Sequence, residues 1–144
     1  MKLQSVKQSV VPSAAIPSFR VLIYNSRIPV RRVKENLNPH GFHDVVFISD
    51  ESDLINSVKG LDPQAIVINH QVWNDPHTPV LMQQLRKFSD TPVIIWGDEL
   101  NEFVSRKLLS FKNTYTLQLS DGFISLTEVL QRIEMKHKNP GLWV

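Results

Sequence analysis

The sequence predicts an α/β domain: a doubly wound, five-stranded parallel sheet in the order 2-1-3-4-5, covered by helices on both faces as a three-layer sandwich. Two observations carry this reading. Short apolar runs and segments of helical period alternate five times along 144 residues, the pattern of βα units closing into a parallel sheet. Three of the five runs are apolar throughout rather than alternating, as strands buried on both faces must be. Right-handed crossovers then leave the strand order above as the common solution at this size.

The first unit opens at Phe19. Arg20-Val-Leu-Ile-Tyr24 is a continuous apolar strand, closed by polar Asn25-Ser26-Arg27, and Val30, Val33 and Leu37 recur at helical spacing behind Pro29. Gly41 ends that helix. Asp44-Val-Val-Phe-Ile48 is the second strand, and Ser49-Asp50-Glu51-Ser52 offers capping groups to a helix bearing Leu54, Ile55, Val58 and Leu61. Ala65-Ile-Val-Ile68 is the third strand. Asn69 and His70 follow it, then a loop with Pro76 and Pro79, then a helix with Val80, Leu81, Leu85 and Phe88. Pro92-Val-Ile-Ile-Trp96 leads through Gly97-Asp98-Glu99 to a helix with Phe103, Val104, Leu108 and Phe111. Tyr115-Thr-Leu-Gln-Leu119 precedes the last helix, which carries Leu126, Val129, Leu130 and Ile133 and ends favourably for its dipole in Lys136-His137-Lys138. Residues 1–18, rich in Ser, Gln, Val and Pro, read as a flexible arm, residues 19–138 as the domain, and 139–144 as a short tail.

Composition narrows the chemistry. Hydrophobic residues make up 42% and charged residues 21%, enough apolar mass for a real core. The net charge of +2 is too small for a nucleic-acid footprint, whatever the pI near 9.0 suggests. Without cysteine there is no disulfide, thiolate zinc site or thiol catalysis. No apolar run has the roughly 18 residues of a membrane helix, and Pro12 and Pro17 spoil any signal peptide. A cytoplasmic protein that binds neither nucleic acid nor membrane is expected. The glycines, only 5 in number, form no dinucleotide fingerprint, phosphate loop or nucleophile elbow.

The order and lengths of these units resemble a response-regulator receiver domain over residues 19–138, a flavodoxin-like architecture. The segments that carry the likeness are Arg20 to Arg32, Pro63-Gln-Ala-Ile-Val-Ile-Asn69, Pro92-Val-Ile-Ile-Trp-Gly97 and Ser125 to Ile133. The resemblance places a metal-binding acidic pair at Asn25 and Ser26, the phosphoacceptor aspartate at Asn69, and a hydroxyl-bearing switch residue at Gly97. It places a lysine at Gln118 or Ser120. None of these residues can do the family's work. A carboxamide forms no acyl phosphate, and Mg²⁺ requires anionic oxygens. Arg27 would add positive charge to the same mouth. The resemblance therefore implies a degenerate, phosphorylation-independent pseudo-receiver, with no catalytic residue, metal or cofactor.

Substitute chemistry is weakly supported. Asp50, Glu51, Asp98 and Glu99 precede helices, where acidic residues cap and favour the dipole. Asp75 or Asp121 could join them only across loops. His70 and His77, seven apart across a proline, lack helical metal-pair spacing. The function expected is a protein–protein or regulatory module in bacterial-type signalling. Its partner, another signalling protein or a second copy, would meet the face of the fourth helix, fifth strand and fifth helix. Candidate contacts there are Arg106, Lys107, Ser110, Lys112, Tyr115, Gln131 and Arg132. Trp73 and Trp143, outside regular elements, are candidate anchors. The alternative is a small-molecule sensor or enzyme using the mouth around Asn25, Asn69, His70 and Asp98.

Overall fold

The computed structural model describes residues 19–24, 28–70, 77–97 and 102–139, His70 by its backbone alone. Strands β1 (Val21–Tyr24), β2 (Val45–Ile48), β3 (Ala65–His70), β4 (Val93–Gly97) and β5 (Thr114–Gln118) pair in parallel in the order β2-β1-β3-β4-β5. The intervening helices are α1 (Val30–Leu37), α2 (Glu51–Leu61), α3 (His77–Arg86) and α4 (Glu102–Leu109), and α5 (Gly122–Lys138) follows β5. Fold class and strand order are those the sequence predicts.

Successive side chains of a strand leave on opposite faces, so the sheet divides the core in two. Val21, Ile23, Ala65, Val67, Ile94 and Trp96 meet Val33 and Leu37 of α1 and Leu126, Leu130 and Ile133 of α5. Leu22, Ile66, Ile68, Val93 and Ile95 meet α2, α3 and α4 through Leu54, Val58, Leu81, Met82, Leu85, Val104 and Leu108. The central strands β1, β3 and β4 are buried on both faces, whereas the edge strands β2 and β5 are half-buried. Phe42, just past the left-handed Gly41 (φ 91°), is also core and lies 5.9 Å from the Phe19 ring.

Four residues expected on core faces are exposed instead. Phe103 is 78% exposed, and Val30, Val80 and Phe88 are also in solvent. Phe103 and Val80 each sit one position, about 100° of helix rotation, before the residue that enters the core, Val104 or Leu81. Val30 is the first residue of α1, and Phe88 lies beyond α3, where the Lys59 ammonium covers its ring at 4.9 Å.

Polar side chains fasten the ends of the elements. The Asp50 carboxylate caps α2, accepting from the Ser52 amide at 3.0 Å and hydroxyl at 2.8 Å, and these bonds hold its carboxyl below the usual range. At the start of the sheet, Arg20 Nε donates to Asp44 at 3.1 Å and its guanidinium to the Leu61 carbonyl at 3.0 Å, tying β1 to the turns before β2 and β3. On the far side of the sheet Arg86 bonds four carbonyls in the turns before β4 and β5.

Candidate functional site at the strand ends

A parallel sheet of this order binds ligands outside the carboxyl ends of its strands. There β1 ends at Tyr24, β3 reaches Asn69 and His70, and β4 and β5 end at Gly97 and Gln118. The register aligns Asn69 with Trp96, and Gly97 with both His70 and Gln118. Gln118 is the last residue of β5, and Ser120 lies in the following 3₁₀ turn. Asn25, Ser26, Arg27, Trp73, Asp75, Asp98, Glu99 and Trp143, like the side chain of His70, lie outside the described residues.

Asn69 is only 8% exposed. Its carboxamide Nδ2 donates to the Trp96 carbonyl at 3.1 Å, a cross-strand bond that fixes the orientation of the amide. Among the described residues, its Oδ1 and the Trp96 indole Nε1 are buried and have no hydrogen-bond partner. The Trp96 ring is held edge-on by Phe123 at 5.1 Å, and the Arg32 guanidinium stands 5.7 Å above the Phe123 ring. A neutral amide, an indole and an aromatic lid with a cation above it thus occupy this end of β3 and β4. Nothing in that set supplies the anionic oxygens a divalent cation requires.

Two acidic side chains of this end, Asp50 and Glu51, already have partners. Glu51, at the start of α2, pairs with the His77 imidazole at the start of α3, joining the two helix N-termini. Asp50 is engaged in its cap. The Tyr24 hydroxyl is pushed above its ordinary pKa by burial first and then by the negative charges of Glu51 and Asp50. Among the described residues no three His, Asp or Glu side chains converge as a metal site would require. The sequence reading missed the Trp96 indole as a polar group and the Glu51–His77 pair. Trp96 reads simply as core, and His77 reads as a loop residue because Pro76 and Pro79 mask the helix start.

The second candidate surface lies at the β5 edge. Arg106 pairs with Glu102 at 2.8 Å along α4, Lys112 approaches Asp90 at 3.7 Å, and the Ser110 hydroxyl donates to the Lys107 carbonyl at 2.6 Å. All these basic groups are exposed. Tyr115 is half-buried on β5 beside Ile133 and Lys136 of α5. Gln131 is not brought to this face. Its amide lies 3.5 Å from His40, beyond α1, so it belongs to the opposite flank of α5.

No family model and no curated protein matches the chain. Solved structures do. A response regulator from Hahella chejuensis superposes with a TM-score of 0.61 at 16% identity, over 81% of this chain and 89% of its own. A CheY-like protein (tadZ) from Pseudomonas aeruginosa PAO1 gives 0.62 at 14%, over 79% and 98%. The pseudo-receiver domain of the CikA protein gives 0.55 at 21%, over 81% and 97%. Sheet order, helix placement and these superpositions agree: the fold of this chain is the CheY-like receiver fold.

Proposed function

We propose that this chain is a pseudo-receiver: a signalling module that works by docking and does not undergo phosphorylation. One observation carries the reading. At the end of β3, where the resembled family keeps its phosphoacceptor, stands a buried carboxamide already bonded to the Trp96 carbonyl. An acyl phosphate forms only on a carboxylate. Neutral Gly97 and Gln118 beside it, with Asn25 and Ser26 by alignment, remove the metal ligands, switch hydroxyl and lysine together.

Exposure to acetyl phosphate with Mg²⁺ is therefore expected to add no phosphoryl mass to the intact chain. Beryllofluoride with Mg²⁺ is expected to leave its amide NMR spectrum unchanged. Mg²⁺-dependent labelling at any aspartate overturns the reading.

Output then depends on a surface. The α4–β5–α5 edge carries exposed Arg106, Lys107 and Lys112, with half-buried Tyr115 on β5, a basic and aromatic mixture suited to an acidic protein partner or to an acidic patch on a second copy. The combined Arg106→Glu and Lys107→Glu variant is expected to slow association with that partner, or self-association, by about tenfold or more at low salt through lost steering. Its urea midpoint should stay unchanged, because both side chains are exposed. Association rates followed against ionic strength check this; a salt-independent rate in the parent chain excludes this face.

A further inference from the structure

A cavity of about 230 Å³ opens at the end of the sheet opposite the crevice. Its apolar wall is Ile133, the Tyr115 ring and Pro92; Gln64, Asn113, Lys136 and His137 form a polar, basic rim. Gln64, Pro92 and Asn113 immediately precede β3, β4 and β5, so this is where α5, running back along the sheet, comes to its end. The cavity is smaller than the roughly 300–1,000 Å³ typical of small-molecule sites and open enough for one or two side chains.

The described structure ends at Asn139, two residues past the rim residue His137. Beyond it the sequence reads Pro140-Gly141-Leu142-Trp143-Val144. Pro-Gly is a turn dipeptide. Four residues reach at most about 14 Å from Asn139 to Trp143, enough to return over the last turn of α5. An indole matches the site chemically: its rings suit Ile133, Pro92 and Tyr115, its N–H suits the amide oxygens of Gln64 or Asn113, and its face suits the Lys136 ammonium and the His137 ring. A segment tethered this closely meets the cavity at an effective concentration no free peptide reaches.

We propose that this cavity is the docking site of the chain's own residues 140–144, with Trp143 as the side chain that fills it. Docking covers Tyr115 and Lys136. On the reading of the α4–β5–α5 face given above, the segment then competes with the partner. The experiment below bears on docking alone, so it stands or falls independently of that reading.

In the NMR spectrum of the full chain, the Trp143 indole is expected to give NOEs to Tyr115 and Ile133. Trp143→Ala should abolish these and shift the amides of Asn113, Tyr115 and His137, while Trp73→Ala leaves those amides in place. The shifts should not depend on protein concentration. Absent NOEs, unmoved amides in Trp143→Ala, or shifts that grow with concentration, as a second copy's segment would produce, each overturn the proposal.

Discussion

Replacing Asn69 with aspartate is expected to destabilise the fold by about 2–4 kcal/mol at neutral pH and to create no phosphorylation site. The amide donates to the Trp96 carbonyl at 3.1 Å from a position only 8% exposed. An ionised aspartate has no donor, so it would turn an anionic oxygen toward a carbonyl oxygen inside the sheet. Burial and that repulsion must raise its pKa above the unfolded value of about 3.9. The sign follows from proton binding. With a raised folded pKa the native state holds the proton more tightly than the unfolded chain does, so stability falls as pH rises through the folded pKa. Below about pH 4 the neutral carboxyl can donate to the Trp96 carbonyl, and most of the loss should vanish. Urea unfolding of Asn69→Asp and the parent chain between pH 4 and pH 8 checks both size and slope. A variant as stable as the parent at pH 8 would show that this buried position tolerates a carboxylate beside the Trp96 carbonyl, against the cost argued here.

Why the strand ends were legible in the sequence, and their chemistry less so, follows from what each residue must satisfy. β1, β3 and β4 had to be apolar on both faces because helices cover both, and that leaves an unmistakable run. Their ends are marked where the run meets Asn69 or Gly97, so chain order alone brings those two to one mouth. Helix faces were read less well. Periodicity gives the spacing of a stripe but not the rotation at which it meets the sheet, and Phe103 beside Val104 and Val80 beside Leu81 are errors of one residue. The same ambiguity put Gln131 on the β5 flank of α5 when its neighbour is His40. Contacts across the sheet leave no local trace. The bond from Asn69 to Trp96 spans 27 residues and the pair of Glu51 with His77 spans 26, and both depend on register and helix docking that no short window contains.

The arrangement makes the two ends of the sheet different in kind. At the carboxyl ends, polar atoms are buried, and two of them have no partner among the described residues. At the amino ends, turns are stitched by side chains that bond several groups at once: Arg20 the Asp44 carboxylate and the Leu61 carbonyl, Arg86 four carbonyls. The turn before β5 is among those that Arg86 fastens.

That fastening can be measured. Arg86→Ala is expected to cost about 2–4 kcal/mol, more than any exposed charge on α4. Arg86 Nε donates to the Lys112 carbonyl at 2.9 Å and one terminal nitrogen to the Asn113 carbonyl at 3.1 Å. The other terminal nitrogen serves Thr91 at 2.8 Å and Ser89 at 3.1 Å. As the last residue of α3, its cation also meets the negative end of that helix dipole. Burial lowers its pKa and nearby Asp90 opposes the shift, yet a guanidinium stays charged throughout the working pH range. Alanine leaves these carbonyls without their charged donor, and Arg86→Lys should recover only part of the loss, because an ammonium lacks the planar fork that reaches both turns. The cost should be flat between pH 5 and pH 9, unlike that of Asn69→Asp. In urea the midpoint should fall with little change in slope. A loss under about 0.5 kcal/mol would mean that water replaces the guanidinium at every carbonyl, leaving the turn before β5 fastened by the strand pairing of Thr114 and the Asn113 side chain, which donates to the Asp90 carbonyl at 3.0 Å.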